Sequence, residues 1–434
     1  MTRAAPRESR AAAASRVSIL VTAICWGLVV LEGYDLISFG SVLPELLKDE
    51  AAGYTPGNVG LVAAAAFVGA TVGALSSGWL SDRYGRRPVA IGSLVVFSIF
   101  TMLCGFSEGP SQLGVLRFLA GIGIGAIVPS TSALTLEYAS ARHRTLSYTL
   151  MLSGVPVGGV LAALSGMILI PSHGWRWVFW IALAPAVVVL PFIVAKLPES
   201  LTFLERSGRT ERAAELRARL GLDTDGEAHA AAHAGPRDEQ RIFGAGYRLA
   251  SIMFAVATFF GLLTWFGLGT WIPGIMRKMD YDLGSALTFL LVLNVGAIAG
   301  SIVIAVATDR YGPRPVLVGT YSILTVALLV LLVKMPQPPL LAAMALAGVG
   351  GHGGQILINR YVGRSYPAAS RARALGWSLG AGRLGTVVGP IAIGWIVGHL
   401  EARIGFLFFA LCSAACAMVL LAIPATPASV REEE

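Results

Sequence analysis

The feature that most constrains this chain is the regular alternation of long apolar runs with short clusters of charge. Twelve runs have lengths close to the roughly 20 residues that a helix needs to cross a bilayer. They lie at 17–44, 57–80, 88–106, 111–136, 145–169, 175–196, 248–273, 284–307, 315–333, 338–359, 371–397 and 404–424. Only 13% of the residues are charged, about half the share typical of a soluble globular protein. The alternation therefore predicts an all-α polytopic membrane protein with 12 transmembrane helices.

The basic residues predict how these helices are oriented. If the N-terminus is cytoplasmic, the cytoplasmic segments hold 25 of the 33 Lys and Arg residues. Lys and Arg concentrate in the cytoplasmic loops of membrane proteins, so we expect both termini in the cytoplasm. The net charge of +8 is then a consequence of topology, and a nucleic-acid partner is not expected. The expected location is the plasma membrane, which is the inner membrane in a bacterium.

Tryptophans cluster near the predicted outer ends of the runs. Amphipathic indole rings settle at the level of the lipid headgroups. We therefore expect a belt of rings facing lipid, formed by Trp175, Trp177, Trp180, Trp271 and Trp395.

A single long hydrophilic break, residues 197–247, divides the runs into six and six. We expect an N-terminal six-helix bundle over 17–196 and a C-terminal six-helix bundle over 248–424. The break begins with LTFLERSGRTERAAELRARL, which predicts an amphipathic surface helix followed by a polar linker. Residues 1–16 and 425–434 are predicted to be cytoplasmic tails.

One octapeptide occurs twice, at corresponding places in the two halves. DRYGRRPV (82–89) follows the second run and DRYGPRPV (309–316) follows the eighth, with seven of eight residues matching at an offset of 227. Internal repeats of this kind are typical of transporters made of two related bundles, with a substrate site between them near the bilayer midplane.

Three motifs resemble those of the major facilitator superfamily. GWLSDRYGRRPV (78–89) is similar to its signature loop between helices 2 and 3. LRFLAGIGIG (116–125) is similar to its helix 4 arginine motif, and LPES (197–200) to the segment after helix 6. The resemblance covers about 17–424 and implies the major facilitator fold, with two pseudo-symmetric six-helix bundles.

A narrower resemblance is to the aromatic acid:proton symporter family. EGYD (32–35) is similar to that family's D-G-x-D motif, although Glu32 stands where the family usually has Asp. The segment RARALGWSLGAGRLGTVVGP (371–390) also resembles the family. The resemblance implies import of an aromatic carboxylate, of the benzoate or hydroxybenzoate type, together with a proton by alternating access.

Two other transporter classes stay open as alternatives. SGVPVGG (153–159) partly matches the helix 5 signature of drug:proton antiporters. Sugar and polyol symporters share the signature loop and the PES element, but the seventh run lacks the paired glutamines typical of sugar porters.

Three charged residues inside the apolar runs are candidates for proton coupling. Glu32 and Asp35 are one helical turn apart in the first run, and Arg117 lies at a comparable depth in the fourth. Ionisable residues within transmembrane segments are rare and usually functional. A carboxylate balanced between desolvation and a nearby arginine can load and release a proton, and Asp35 is the first candidate. The alternative is a fixed ion pair that holds helices together.

The candidate substrate site centres on Arg383 in the eleventh run. A planar guanidinium binds a carboxylate through two parallel hydrogen bonds, and the family resemblance implies the same role. Other residues at similar depth are predicted to surround the aromatic ring, although helix packing is the alternative for the aromatic ones. They are His352, Gln355, Asn294, Trp265 and Tyr34.

The two octapeptide loops are predicted to form a gate at the cytoplasmic surface. Gly85 is expected to supply a turn conformation that other residues resist, and Asp82 to approach the N-terminal end of a neighbouring helix, which in the superfamily is helix 11. Glu137 is expected to pair with Arg86. The candidate gating residues are Asp82, Gly85, Arg86, Arg87, Glu137, Arg142, Asp309, Arg310 and Arg314, with Pro313 weakening the second copy.

The sequence disfavours an enzyme. It contains no nucleophile–base constellation and no complete set of metal ligands, so no cofactor is expected apart from the coupling proton. The four cysteines fall inside apolar runs and are expected to be small buried hydrophobic residues. The expected partners are a small aromatic carboxylate, protons and membrane lipid, with the monomer as the functional unit.

Overall fold

A computed structural model of the protein describes residues 7–49, 51–140, 143–220, 242–244, 246–333 and 335–424. In this part of the chain, 12 helices are long and apolar enough to cross a membrane. These spans are Ser15–Leu46, Pro56–Tyr84, Arg86–Cys104, Pro110–Tyr138, Leu146–His173, Arg176–Lys196, Arg248–Lys278, Leu283–Tyr311, Pro313–Val330, Gln337–Ser365, Ser370–His399 and Ile404–Ala422. The predicted bounds lie within six residues of these at every end. The prediction of an all-α integral membrane protein is confirmed.

The offset of 227 found in the octapeptides also relates the helices of the two halves. Adding it to the bounds of the second span, 56–84, gives 283–311, the bounds of the eighth. The starts of both spans are capped by a side chain at corresponding positions. Thr55 accepts a hydrogen bond from the Asn58 amide at 3.3 Å, and Asp282 accepts one from the Ser285 amide at 2.9 Å. Similar local signals thus begin equivalent helices in the two bundles.

Glycines at equivalent positions let neighbouring helices approach closely in each bundle. A Cβ atom on Gly69 would lie 2.0 Å from the Phe118 carbonyl oxygen of the fourth span. A Cβ atom on Gly296, which is 227 positions later, would lie 2.2 Å from the Ala345 carbonyl oxygen of the tenth. Small residues at such crossings are the usual means of packing helices in membranes, where lipid is as apolar as the side chains. The two bundles are therefore pseudo-symmetric in their packing as well as in their helix bounds.

The segment after the sixth span differs from its prediction. One amphipathic helix was expected, but the structure has two, Leu201–Arg206 and Thr210–Leu220. Gly208 lies between them with φ of 74°, a conformation that favours glycine. Phe203, Leu204 and Ala213 pack together in a small apolar cluster of their own. The rest of the predicted polar linker from 221 to 241, and the predicted tail 425–434, lie outside the described residues.

The cleft between the two bundles is open at one end only. We call the end that holds 82–89 and 309–316 the signature end, and the opposite one the far end. In the first span, residues 32–44 near the far end are all buried, whereas Ile19 near the signature end is 66% exposed. The seventh span repeats this pattern, with 267–276 all buried and Leu249 58% exposed.

The far ends of the two bundles are in direct backbone contact. A Cβ atom on Gly40 of the first span would lie 2.3 Å from the Gly269 carbonyl oxygen of the seventh. One on Gly60 of the second span would lie 2.7 Å from the Pro390 carbonyl oxygen of the eleventh. These contacts close the cleft at the far end and leave it accessible from the signature end.

Candidate functional site

Asp35 and Arg117 form an ion pair that is wholly inside the N-terminal bundle. Arg117 Nη1 donates to Asp35 Oδ2 at 2.9 Å, and the two side chains are 2% and 0% exposed. The Thr101 hydroxyl of the third span donates to Oδ1. Arg117 also lies 5.4 Å from the centre of the Phe39 ring. Both carboxylate oxygens of Asp35 therefore have strong partners in the same bundle.

Glu32 lies one turn from Asp35 towards the signature end and has a different environment. Its side chain is buried, with 6% of the residue exposed. Its Oε2 atom is buried without a hydrogen-bond partner among the described residues. Arg383 attracts Glu32 electrostatically, yet no Glu32 oxygen comes within 4.0 Å of an Arg383 nitrogen. Glu32 is thus a buried carboxylate that is only partly matched by positive charge.

Arg383 reaches from the eleventh span to the opposite bundle. Its Nη1 atom donates to the Ala70 carbonyl oxygen of the second span at 3.2 Å. A guanidinium has five N–H donors, and this is the only hydrogen bond from them within the described chain. On the same face, Gly380 and Gly376 follow at one and two turns towards the signature end. No atom lies within 4 Å of where their Cβ atoms would be, so an open path leads to Arg383.

An aromatic pair lies on the far side of Arg383. Phe67 is one turn from Ala70 towards the far end, and its ring lies 5.1 Å from the ring of Phe266 in the seventh span, edge to face. The two rings belong to different bundles and meet across the cleft on the far-end side of Ala70. Arg383 therefore lies at the closed end of the cleft.

His352 and Trp265 form a second pair of candidate residues, on the tenth and seventh spans. Their ring centres are 5.2 Å apart, and Trp265 is buried. The His352 Nε2 atom is buried without a partner among the described residues. His352 also interacts with the backbone of Leu152 in the fifth span, which belongs to the other bundle. The pair thus lies at the boundary between the bundles.

Gln355 and Asn294 also have buried oxygens without partners in the described chain. A Cβ atom on Gly261 would lie 2.9 Å from Gln355 Oε1 and 2.5 Å from the hydroxyl of Tyr321, which also lies beside the Cys416 thiol. Asn294 Oδ1 faces the fifth span, 2.1 Å from where a Cβ atom on Gly159 would lie. Buried polar atoms are normally hydrogen-bonded, so the unpartnered oxygens of Gln355 and Asn294 are candidates for hydrogen bonds from a ligand or from water. The sequence did not point to Tyr321.

Tyr34 lies differently from its prediction. Its hydroxyl donates to the Val178 carbonyl at 2.7 Å and shares a hydrogen bond of 3.0 Å with Ser165. Both partners belong to the N-terminal bundle, and the residue is 8% exposed. The side chain therefore points into its own bundle and not towards the predicted substrate site. Its contacts correspond to the alternative of helix packing.

Glu137 and Glu199 organise the loop at 82–89. Glu137 accepts a hydrogen bond from Arg86 Nη1 at 2.7 Å, and others from the Ser200 hydroxyl and the Thr202 amide. Glu199 accepts the backbone amides of Arg86 and Arg87 at 2.9 and 3.1 Å, at the start of the third span. The positive end of a helix dipole stabilises such a carboxylate. Glu199 was known from the sequence only as part of the LPES element.

Gly85 has φ of 103°, as expected for a turn that requires glycine. Its replacement by a larger residue would also meet a steric block, since a Cβ atom would lie 2.3 Å from Glu199 Oε2. Gly312 is the equivalent residue in the C-terminal half, with φ of 80°. The two loops thus use the same backbone turn.

The second loop has fewer charged contacts than the first. Arg314 donates to the Leu421 carbonyl and Arg87 to the Val194 carbonyl, positions that differ by 227 in both donor and acceptor. Asp309 pairs with Arg360 at 2.8 Å, but its side chain is 69% exposed. Arg310 contacts only the neighbouring Tyr311 ring among the interactions of the described chain, at 5.2 Å.

Two gating candidates do not join this network. Asp82 is exposed and forms no hydrogen bond or ion pair within the described part of the chain. No hydrogen bond or ion pair joins it to the described part of the eleventh span, in line with a cleft that is open at the signature end. Arg142 lies outside the described residues.

The sequence profile of the Major Facilitator Superfamily matches residues 25–306 and 254–434. The chain belongs to the major facilitator superfamily. Among solved members of this fold, the inward-open xylose transporter XylE from E. coli superimposes with a TM-score of 0.79 at 17% identity, over 94% of this chain and 97% of that one. This similarity concerns the fold alone.

Curated relatives within the superfamily are transporters of aromatic acids. A gentisate transporter of Corynebacterium glutamicum is 40% identical, over 93% of this chain and 87% of its own length. A benzoate transport protein of Acinetobacter baylyi is 34% identical, over 88% and 83%. A 4-hydroxybenzoate transporter of the same organism is 29% identical, over 86% and 84%. The resemblance inferred from EGYD and the eleventh run is confirmed at the level of these relatives, which are transporters and not enzymes.

One tryptophan of the predicted belt is misplaced. Trp271 is 0% exposed and donates from its indole nitrogen to the Pro390 carbonyl of the eleventh span at 3.0 Å. It therefore packs between spans at the far end instead of facing lipid. Trp177 and Trp395 are 43% and 56% exposed, as a belt requires.

Proposed function

We propose that this protein is a proton-coupled symporter that imports an aromatic carboxylate by alternating access. The signature end faces the cytoplasm in this proposal, so the described conformation is open inwards. Its working unit is the monomer in the plasma membrane, surrounded by lipid. The substrate class is supported by relatives that transport gentisate, benzoate and 4-hydroxybenzoate. The observation that carries the proposal is Arg383, a cation with unused donors at the closed end of a cleft.

Arg383 is the group that holds the substrate carboxylate. The guanidinium fork fits a carboxylate in a bidentate arrangement, which fixes the orientation of a planar aromatic acid. Trp265 and His352 offer ring faces and an unpartnered nitrogen beside the cleft. The unpartnered oxygens of Gln355 and Asn294 are suited to hydroxyl groups on the ring.

The first-span carboxylates carry the coupling, with Arg117 as the partner of Asp35. A charge that must cross the membrane core is costly, so loading of a proton together with the anion reduces the net charge that moves. During the transport cycle the two ends of the cleft open and close in turn. The far-end contacts open to admit substrate, and Asp82, the Arg86–Glu137 pair and their second-half equivalents then support closure at the signature end.

The test is uptake by protein reconstituted in liposomes. Labelled gentisate, benzoate and 4-hydroxybenzoate are supplied outside, with the outside acidic relative to the lumen, and xylose and a cationic drug serve as controls. We expect at least one acid to accumulate above its equilibrium level and the accumulation to vanish when a protonophore dissipates the gradient. Accumulation of xylose alone, or proton-driven export of a drug loaded into the lumen beforehand, would assign the protein to one of the other transporter classes.

The matched variants for the same assay are Arg383→Ala and Arg383→Lys. Loss of a bidentate charged contact costs about 2–5 kcal/mol, so we expect Arg383→Ala to weaken binding of the acid by on the order of 100-fold or more. Lysine keeps the charge without the planar fork and is expected to lie between the two. Unchanged affinity in Arg383→Ala would exclude the assigned role of this residue.

A further inference from the structure

Glu32 and Arg383 face each other across the two bundles, and neither charge is fully matched. Glu32 Oε2 is buried without a partner, and Arg383 uses one donor, on a backbone carbonyl. We propose that Glu32 is the counter-ion of Arg383 in the empty transporter, and that the substrate carboxylate takes its place only when Glu32 is protonated. This inference rests on the proposed function and assigns the coupling proton to Glu32 instead of Asp35.

Glu32 and the point at which Arg383 contacts the N-terminal bundle lie on the same side of the Asp35–Arg117 pair. Asp35 is level with Arg117, to which it is bonded, and Glu32 is one turn closer to the signature end. Gly121 is one turn from Arg117 in the same direction. A Cβ atom on Gly121 would lie 3.0 Å from the backbone nitrogen of Ala70. A Cβ atom on Gly125, a further turn along, would lie 1.9 Å from the Ala70 carbonyl oxygen, which accepts the Arg383 hydrogen bond. Ala70 is therefore one to two turns from the Asp35–Arg117 pair, on the same side of that pair as Glu32.

Asp35 is less suited to exchange a proton in step with the substrate. Its two oxygens are bonded to Arg117 and Thr101, and all three residues belong to the N-terminal bundle. Movement of one bundle against the other leaves these contacts in place. Glu32 has its main cationic neighbour on the other bundle, so the attraction it feels changes whenever the bundles move or an anion occupies Arg383.

Among the described residues, Arg383 and Asp35 are the charged groups that act on Glu32. Arg383 belongs to the eleventh span and Asp35 to the same helix as Glu32. The fourth span, which also packs against the first, contributes Arg117, and that side chain is engaged by Asp35. The second, fifth, seventh and eighth spans pack near the first span as well. Their membrane segments 57–80, 146–172, 249–276 and 284–307 contain no Asp, Glu, Lys, Arg or His. A single acid and a single arginine therefore form the exchange site.

The exchange balances in charge and in protons. With Glu32 ionised and the site empty, one negative charge faces Arg383. When water on the far side supplies a proton to Glu32, the arginine is left for the incoming carboxylate, and again one negative charge faces it. At the signature end the anion leaves, Glu32 gives its proton to water, and the pair with Arg383 forms again. One proton thus moves with each substrate anion.

Binding and protonation must then depend on each other. If each bound acid requires a proton on Glu32, affinity falls as pH rises through the range in which Glu32 loses that proton. We expect the Kd of purified wild-type protein for gentisate to rise by up to about tenfold per pH unit towards the alkaline end of a series from about pH 6 to about pH 9, where the ligand carboxylate itself is ionised throughout. At the alkaline end of the series, where Glu32 is ionised before the ligand arrives, binding should also take up one proton per gentisate, recorded with a pH indicator in weak buffer.

Glu32→Gln is the decisive variant, with Glu45→Gln as its matched control. Glu45 lies in the same helix but pairs with exposed Lys48. We expect Glu32→Gln to bind gentisate with an affinity independent of pH and close to the acidic wild-type value, to take up no proton, and to exchange labelled substrate without accumulating it. Glu45→Gln should behave as wild type, and Glu32→Asp should keep the pH dependence.

The outcomes separate this inference from the proposed function. If wild-type protein accumulates gentisate or benzoate with the proton gradient and Glu32→Gln does so equally, the inference is wrong while the function stands. If Glu32→Gln does not fold, absence of proton uptake when the wild-type protein binds gentisate at the alkaline end of the pH series overturns it. If the wild-type protein neither binds nor accumulates any of the three acids, the proposed function itself fails.

Discussion

Two acid–arginine pairs lie one helical turn apart and differ in almost every physical respect. Asp35 and Arg117 are in direct contact, almost fully buried, and belong to one bundle. Glu32 and Arg383 attract each other without an ion pair, and they belong to different bundles. A pair within a rigid body is unaffected when bundles rock, whereas a pair between bundles changes with every step. The first is therefore suited to hold the bundle together and the second to respond to a ligand.

The largest effect on stability is expected from breaking the pair of Asp35 and Arg117. Asp35→Asn leaves Arg117 buried without a counter-charge, and removal of one partner from a buried pair costs about 3–5 kcal/mol. We expect a large fall in the unfolding temperature in detergent, and loss of accumulation with it. The double variant Asp35→Asn with Arg117→Gln should recover part of the stability. Glu32→Gln should lose little, since Glu32 Oε2 has no hydrogen bond to lose. Equal destabilisation by Asp35→Asn and Glu32→Gln would contradict the comparison.

A third pair tests whether burial, or membership of a single bundle, determines how much a pair contributes to stability. Arg86 and Glu137 also belong to one bundle, but their side chains are 26% and 12% exposed. Glu137→Gln keeps the size of the side chain and weakens several hydrogen bonds to a partly buried charge. We expect a loss of about 1–3 kcal/mol, with gentisate affinity unchanged, measured by thermal unfolding and by binding. A loss as large as that of Asp35→Asn would mean that burial is not what distinguishes the two pairs.

The smallest effect is expected at the equivalent loop in the C-terminal half. Asp309 is 69% exposed and pairs with Arg360, so solvent screens the attraction. Exposed pairs contribute about 0–1 kcal/mol, and we expect Asp309→Asn to fall within that range in the same unfolding assay. A destabilisation above that of Glu137→Gln would show that the second loop carries more of the structure than its contacts indicate.

The features that could be predicted from the sequence are those that depend on neighbouring residues along the chain. The 12 spans follow from hydrophobic length, and Asp35 was matched to Arg117 because counting residues gives depth at about 1.5 Å per residue. Counting does not give the direction in which a side chain points. Trp271 has the depth of a headgroup residue but faces the eleventh span, and Tyr34 has the depth of the cleft but points into its own bundle.

Contacts between segments that are distant in sequence could not be predicted either. Glu199 holds the start of the third span, yet 113 positions separate it from Arg86, and no periodicity links them. Tyr321 meets Gln355 only because both side chains converge beside Gly261. The separation of Asp82 from the eleventh span depends on conformation, because the same residues are expected to approach when the cleft closes at the signature end.

Because of the backbone contacts at the far end, a very small added side chain is enough to prevent closure of the cleft there. Gly40 against the Gly269 carbonyl and Gly60 against the Pro390 carbonyl leave no space for even one methyl group. An alanine at either position would obstruct closure there while leaving the charged residues untouched. Such a variant is expected to accumulate in the conformation that is open at the far end, and it offers a way to obtain that form without an inhibitor or an antibody fragment.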